Sequence, residues 1–250
     1  MFQLLGKDSS PGGSRPRELS VGVARLRGMR PHVVAQVAVS VDGVGVGFEV
    51  DVARFYALAT LWQEDVTLMG ADTVLAQERS LAGVARQEGP PVGAASPGAR
   101  EEGGAYGRGV RAEGPLLAVV DGRGRVRSWE ALRELGYWSG VLALYADQTP
   151  ARPPDASTRE LVTGYDQVDL TEVLEVLGRR GVRTVRVDSA GALLRACLEL
   201  GLVDELALLV HPVIVGSGQR WCGGTQLELR HVGTEVFADG VLWMRYCVGA

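Results

Sequence analysis

Hydrophobic residues in this chain form short apolar runs that alternate with segments of helical spacing. Residues 32–39 read HVVAQVAV, which is continuously apolar and rich in β-branched residues, as in a strand that is buried on both faces. In 51–63, apolar residues recur at helical spacing behind Asp51, a favourable N-cap. The pattern therefore predicts a buried strand, a glycine-rich loop and then a helix.

The same alternation continues through the second half of the chain. It predicts strands at 66–70, 116–120, 141–145, 182–187 and 205–215, and helices at 128–135, 169–181 and 191–201. Beyond residue 225, antiparallel strands are expected around turns at Gly233 and at Asp239–Gly240. The pattern predicts an α/β fold in which helices flank a mixed, mostly parallel sheet with an antiparallel C-terminal part.

Two segments lack this alternation. Residues 1–30 contain early helix-breaking Pro and Gly residues, which predicts an N-terminal arm. Residues 79–114 hold many Gly, Ala, Arg, Glu and Pro residues and almost no aliphatic run, which predicts a low-complexity insertion. Because neither half looks able to close its own sheet, residues 31–250 are expected to form one domain.

Composition restricts the function classes. The chain has 250 residues, 46% of them hydrophobic, and a formal net charge of -4, which argues against a nucleic-acid binder despite the arginine-rich insertion. No apolar run approaches the roughly 20 residues that span a bilayer, and the N-terminus lacks a secretory apolar segment. The expectation is a cytoplasmic protein with a small-molecule substrate and neither nucleic acid nor membrane as a partner.

Several kinds of chemistry are disfavoured by residue counts. Lys7 is the sole lysine and falls in the predicted arm, whereas Schiff-base enzymes and P-loops need a lysine inside the fold. The three cysteines and three histidines are scattered, so neither a disulfide framework nor a metal site is expected. No spacing suggests a nucleophilic triad either.

The predicted strand ends carry the candidate chemistry, because ligands of parallel α/β sheets bind beyond the carboxyl ends of the strands. Small residues beside a carboxylate or hydroxyl follow four strands: Ser40-Val41-Asp42-Gly43, Gly70-Ala71-Asp72-Thr73, Asp121-Gly122-Arg123 and Asp188-Ser189-Ala190-Gly191. Small residues let a ligand approach backbone N–H groups, and a following helix N-terminus favours an anion. The last segment is a candidate diphosphate cradle, although small residues also occur at such turns for steric reasons.

Other polar residues each leave two interpretations open. Asp42 is a candidate substrate ligand or proton relay, but Asp-Gly is also a common turn pair. Gln36, in a buried strand, needs hydrogen-bond partners that are either structural or part of a ligand. Arg123 and Arg125 could hold the 2′-phosphate of an NADP-type cofactor, or lie solvated in their loop.

Read in order, seven short motifs resemble the reductase domain of riboflavin biosynthesis, which shares the dihydrofolate reductase fold. The motifs are Ser40 to Gly43, Gly70 to Leu75, Val119 to Asp121, Val168 to Leu170, Gly181 to Val185, Gly201 to Leu206 and His211 to Gly216. They extend from about Arg30 to about Gly218, outside the insertion. Each motif by itself is short, and their common order favours this fold.

The resemblance implies NADPH-dependent reduction of a ribosylamino-pyrimidine 5′-phosphate by a homodimer. It implies catalytic roles for Asp42 and Asp188, and substrate contacts for these two together with Gln36 and Ser40. The implied cofactor-binding residues are Gly70, Ala71, Thr73, Val74, Gln77, Gly122, Ser189, Ala190, Gly191, Ala192 and Leu193. No metal is implied.

The chain departs from the family pattern at four places, one of which is the absence of the serine-tryptophan segment that precedes the first helix in the family. Val44 stands where the family has a basic residue, and Gln77 lies in a run that replaces Ala-Asp-Asp-Pro. Asp188-Ser189-Ala190 replaces Glu-Gly-Gly, in which the acid reaches the substrate and the glycines reach the diphosphate. The alternative is therefore a non-catalytic or differently specialised relative that retains the fold without the reductase site.

Overall fold

A computed structural model of the chain describes residues 30–76, 114–150, 158–222 and 226–249. Apart from Arg30 and Gly114, the predicted arm and insertion lie outside these residues. The strands are β1 (His32–Ser40), β2 (Val66–Gly70), β3 (Leu116–Val120), β4 (Gly140–Tyr145), β5 (Arg159–Val162), β6 (Thr184–Val187), β7 (Glu205–His211), β8 (Leu229–Val236) and β9 (Leu242–Val248). The helices are α1 (Val52–Ala59), α2 (described over 71–76), α3 (Trp129–Glu134), α4 (Leu170–Arg179) and α5 (Ala192–Glu199).

All nine strands form one sheet in the order β5-β4-β3-β2-β6-β1-β7-β9-β8. The seven strands from β5 to β7 are parallel, and β9 and β8 are antiparallel to their neighbours. The predicted mixed, mostly parallel sheet with an antiparallel C-terminal part is confirmed. Within the described residues, no helix has the length and apolar character needed to cross a membrane.

The two faces of the sheet have separate hydrophobic cores. On one face, Val33 and Val37 of β1 pack with α4 and α5 residues such as Leu174 and Leu194. On the other face, Leu209 and Trp243 pack with Phe55 of α1 and its neighbours. Because β-strand side chains alternate between faces, the apolar side chains Val33 and Val37 of β1 pack in the first core, whereas Gln36 contacts α1 on the other face.

Local capping explains where the helices begin and end. Asp51 caps α1 by accepting the N–H of Arg54, and Asp169 caps α4 by accepting the N–H groups of Thr171 and Glu172. Glycine follows α4 and α5 at positions 181 and 201, both with positive φ, which side chains disfavour. These four predicted boundaries are confirmed.

Three details differ from the prediction. The fifth parallel strand, β5, was not predicted, because Arg159–Val162 is short, mostly exposed and without an apolar run. Gly233 lies inside β8, where the pairing with β9 shifts between His231 and Gly233, so the turn predicted there is wrong. β7 ends at His211, four residues before the predicted end, since the chain then turns through Pro212.

Candidate functional site

A cleft of about 1000 Å³ opens at the carboxyl ends of β2, β3 and β6. Its walls come from three strand ends, the first turns of α5 and two loops that follow β1 and β7. Its lining includes Gly70, Ala71, Thr73, Gly122, Arg123, Arg125, Ser189, Ala190, Gly191, Ala192, Leu193, Gln219, Arg220 and Trp221. A parallel sheet places these segments together because its strands share one carboxyl edge.

The wall at the start of α5 is shaped by a glycine. Gly191 is the N-cap of α5, has φ 73° and makes no side-chain capping bond, so the first N–H groups of the helix lack a side-chain acceptor. A Cβ atom on Gly191 would lie 3.0 Å from the amide nitrogen of Gln219. The backbone conformation therefore favours glycine here, and a side chain would also displace that of Gln219. N–H groups at a helix start that have no side-chain cap can bind an anion.

Ser189 is tied into the same wall. Its Oγ accepts the N–H of Gly70 at 2.9 Å and lies 2.7 Å from the hydroxyl of Thr73. These bonds join the ends of the neighbouring strands β6 and β2, which form the floor of the cleft. The serine that replaces a family glycine thus has its hydroxyl occupied by the protein.

Most of the residues expected to bind cofactor are brought together here. The cleft is lined by Gly70, Ala71, Thr73, Gly122, Ser189, Ala190, Gly191, Ala192 and Leu193. Val74 is fully buried in the core against Met69 and Trp129, so its side chain does not line the cleft. Gln77 lies outside the described residues. The arrangement agrees with sequence reasoning for nine of the eleven positions, and their binding roles stay a prediction.

Three arginines line the cleft. Arg123 and Arg125 follow β3, and Arg125 forms an ion pair with Asp72 at 2.8 Å. Arg220 lies at the other side, where it pairs with Val44 in an antiparallel bridge and donates to the carbonyl of Asp42. The cleft therefore offers cations near both ends of its floor.

Asp42 is held by hydrogen bonds between two loops. Its carboxylate accepts the hydroxyl of Ser40 and the N–H groups of Val215 and Gly216 at 2.6, 3.1 and 2.8 Å. These bonds, that of Ser40 first, lower the pKa of Asp42 to about 2. Asp42 and Ser40 are not among the residues that line the cleft. Their position indicates a clamp between the loops after β1 and β7, and gives no support to the predicted proton relay.

Gln36 also uses its side chain internally. Its Nε2 donates to the carbonyl of Phe55, and its Oε1 accepts the indole N–H of Trp62 at 3.3 Å. Of the two interpretations that the sequence left open for Gln36, the geometry favours the structural one. The amide anchors α1 to β1.

Asp188 does not line the cleft, and its side chain interacts with Tyr56 of α1. Its carboxylate lies 3.1 Å from Nη1 of Arg186, whose Nε lies 2.7 Å from Glu64. Burial disfavours the charge of Arg186, but attraction to Asp188 and Glu64 outweighs it and raises its pKa. Burial, reinforced by Asp188, likewise raises the pKa of Tyr56.

Sequence reasoning missed Arg186, Glu64 and Tyr56. Arg186 interrupts an otherwise apolar strand, and a charged residue in such a run is a signal that it has a buried partner. The partners themselves are 122 and 130 positions away in the sequence and carried no signal.

A dinucleotide fits this cleft. The small residues Gly70, Ala71 and Gly191 line it, and the uncapped start of α5 at Gly191 is a type of site that favours the phosphates of a ligand. Arg123 and Arg125 add positive charge beside the end of β3. No group of metal-ligating side chains occurs in the described part of the chain.

Known proteins resemble the chain over most of its length. Two archaeal proteins named 2,5-diamino-6-ribosylamino-4(3H)-pyrimidinone 5′-phosphate reductase are each 27% identical to it. The one from Archaeoglobus fulgidus matches over 199 residues, 76% of this chain and 84% of the relative. The one from Methanothermobacter thermautotrophicus matches over 200 residues, 76% of this chain and 81% of the relative.

Solved structures share the fold. RibD of Acinetobacter baumannii is 19% identical with a TM-score of 0.64, and the match covers 88% of this chain and 59% of that one, so this chain spans about three-fifths of it. A riboflavin biosynthesis reductase of Saccharomyces cerevisiae is 14% identical with a TM-score of 0.61, covering 88% and 91%. The sequence profile of the RibD C-terminal domain matches residues 31–243. The chain belongs to the RibD C-terminal domain family.

Proposed function

We propose that this protein is an NADPH-dependent reductase that converts the ribose of a ribosylamino-pyrimidine 5′-phosphate to a ribityl chain. The observation that carries the proposal is the cleft at the carboxyl ends of β2, β3 and β6, where the start of α5 lacks a side-chain cap. The two archaeal relatives, whose names state reduction of such a pyrimidine, support the substrate class. The proposed location is the cytoplasm.

The residues of the chain would mainly bind and orient the reactants. NADPH, when bound, supplies the hydride. The first N–H groups of α5 would hold the diphosphate, and Ser189 would keep the floor rigid through Gly70 and Thr73. Asp188 would accept N–H groups of the pyrimidine from the opposite face. Holding two reactants in one geometry supplies much of the rate when no side chain attacks the substrate.

Arg123 and Arg125 support the preference for NADPH over NADH. Both line the cleft after β3, and Arg125 is already paired with Asp72, which leaves Arg123 as the more available cation. A guanidinium binds a phosphate through two parallel hydrogen bonds. We place the 2′-phosphate of the cofactor at this end of the cleft.

The function is tested by adding NADPH and the ribosylamino-pyrimidine 5′-phosphate to the purified protein. We expect fluorescence quenching on NADPH binding, loss of absorbance at the reduced nicotinamide band and formation of the ribityl product. The alternative, a relative that kept the fold without the reductase site, predicts neither binding nor oxidation. If neither NADPH binding nor NADPH oxidation is observed at millimolar NADPH, the proposed reductase activity is rejected.

Coenzyme preference is tested separately with Arg123→Ala. This variant should weaken NADPH binding about tenfold, because one ionic contact of roughly 1.4 kcal/mol is lost, and should leave NADH binding unchanged. Arg195→Ala is the control, since Arg195 lies on the exposed side of α5. Equal losses for both coenzymes would contradict the assignment of the 2′-phosphate.

A homodimer formed through β8 completes the proposal. β8 is the last strand of the sheet, and Leu229, Val232 and Val236 on it are 40%, 46% and 70% exposed. Covering such apolar side chains favours association. Sedimentation should give twice the chain mass for the wild type and the monomer mass for Val232→Glu. A monomeric wild type would contradict this assembly.

A further inference from the structure

A cluster of buried charges lies on the α1 face of the sheet, outside the walls of the cleft. The side chain of Arg186 is 3% exposed and contacts two carboxylates, each 11% exposed: Glu64 at 2.7 Å and Asp188 at 3.1 Å. The guanidinium carbon lies 5.7 Å from the ring centre of Tyr56. One cation thus serves two carboxylates in a place from which solvent is largely excluded, where charged groups need strong partners.

The hydrogen bonds of the cluster are incomplete on one side. Nε of Arg186 donates to Glu64, whereas Nη1 of Arg186 and Oδ2 of Asp188 are buried and form no hydrogen bond, although they are in ionic contact. Leaving a buried polar atom without a partner destabilises the folded state. Glu64 is therefore firmly held by Arg186. The buried Oδ2 of Asp188 faces Arg186, and the carboxylate, whose side chain is 11% exposed, also has the hydroxyl of Tyr56 as a hydrogen-bond partner.

Asp188 also lies at a gap in the sheet: β6 lies between β1 and β2, and both of these strands continue beyond the end of β6. β6 ends at Val187, opposite Ala35, whereas β1 continues to Ser40 along β7. The main chain after Asp188 becomes the cleft wall at Ser189, and its side chain faces α1. A ligand that extends from the cleft through this gap would meet the carboxylate of Asp188.

We propose that Arg186 is a positioning residue, which is anchored by Glu64 and fixes the carboxylate of Asp188 beside the gap so that it accepts N–H groups of the pyrimidine. The inference rests on the proposed function, because it assigns Asp188 to the substrate of that reaction. A carboxylate suits a ring that carries amino and ring N–H donors. An arginine suits the anchoring because its rigid fork can contact Glu64 and Asp188 at once, which an ammonium group cannot do in the same geometry.

The test compares Arg186→Lys with Arg30→Lys. Arg30 forms a partly buried pair with Asp204, with two hydrogen bonds of 2.7 Å, away from the cleft; the two side chains are 10% and 18% exposed. We expect Arg186→Lys to raise the KM for the pyrimidine about tenfold or more. The dissociation constant of the pyrimidine, measured by calorimetry in the absence of cofactor, should rise by the same factor. NADPH affinity should change less than about twofold, and Arg30→Lys should change none of these values by more than that.

A double-mutant cycle shows whether Arg186 acts through Asp188. Asp188→Asn should weaken pyrimidine binding at least as much as Arg186→Lys, and adding Arg186→Lys to Asp188→Asn should have little further effect. Independent, multiplying effects would overturn the inference, as would an unchanged dissociation constant in a folded Arg186→Lys protein. If Arg186→Lys does not fold, Glu64→Gln replaces it, and it should weaken pyrimidine binding about threefold without weakening NADPH binding.

The two proposals fail in different ways. If the wild type oxidises NADPH with the pyrimidine while Arg186→Lys binds the pyrimidine normally, the positioning role alone is rejected. If the wild type binds neither NADPH nor the pyrimidine, the proposed function is rejected and the positioning role with it.

Discussion

At the two edges of the parallel sheet, aspartates have different hydrogen-bond partners. At the amino edge, Asp204 binds Arg30 through two hydrogen bonds and also accepts the N–H of Val33, while Asp65 accepts the N–H groups of Arg183 and Thr184. At the carboxyl edge, Asp188 contacts Arg186 without a hydrogen bond, and the start of α5 lacks a side-chain cap.

The difference distinguishes polar groups that join secondary-structure elements from polar groups that are available to a ligand. Polar groups at the amino edge are satisfied by the chain itself, as expected where they only join secondary-structure elements. At the carboxyl edge, Asp42 and Ser189 are also satisfied by the chain, but Oδ2 of Asp188 forms no hydrogen bond, and the start of α5 beside the cleft has no side-chain cap. Unused capacity of this kind is expected where a ligand completes the bonding.

The largest expected effect is on stability. Arg186→Met leaves Glu64 and Asp188 without their cation, and we expect it to lower the free energy of unfolding by about 3–5 kcal/mol. Arg30→Met should cost less, about 1–3 kcal/mol, because Asp204 is more exposed and still accepts the N–H of Val33. Urea denaturation of both variants measures the difference. An equal or larger loss for Arg30→Met would remove the energetic contrast between the edges.

A smaller effect is expected from two glycines with positive φ, one at each edge. Gly191→Ala places a methyl group against Gln219, so we expect about tenfold weaker NADPH binding and a loss of about 1–3 kcal/mol in stability. Gly201, after α5, has φ 64° and no atom within 4 Å of an added Cβ. Gly201→Ala should therefore lose only about 1–2 kcal/mol of stability.

NADPH titration and thermal unfolding of both glycine variants make the comparison. Normal NADPH binding by Gly191→Ala would show that the wall at α5 does not contact the cofactor.

The smallest expected effect is on the pH dependence of stability. The pKa of Asp42 lies at about 2 in the folded protein, below its ordinary value of 3.8, so its contribution to stability is complete above pH 3.8 and is lost as pH falls through 2. Asp42→Asn should be less stable than the wild type at pH 5, and the difference should shrink between pH 4 and pH 2. Chemical denaturation at several pH values measures it. If the difference in stability between Asp42→Asn and the wild type is the same at every pH, the contacts of Asp42 do not depend on the charge of its carboxylate.

Much of the fold could be predicted from the sequence because its signals are local. Apolar runs predicted β1 to β4, and helical spacing with Asp51 and Asp169 predicted α1 and α4. Glycines 181 and 201 predicted the ends of α4 and α5. β5 was missed because Arg159–Val162 is mostly exposed and lacks an apolar run.

The candidate site was predictable in part for the same reason. Small residues at strand ends indicated the cleft, since that signal is contained in each turn. The roles of Asp42 and Gln36 stayed open, because hydrogen bonds to Gly216 and Trp62 depend on partners that are distant in the sequence.

The sequence by itself determined the class of fold, the family resemblance and the segments that line the cleft, because periodicity, caps and short motifs are properties of neighbouring residues. Only the tertiary structure decided how the polar groups are used. Packing α1 against the sheet brought Tyr56 and Glu64 to Arg186, and the short β6 left Asp188 beside a gap. Those contacts arise from strand order and register, which bring together residues more than 100 positions apart.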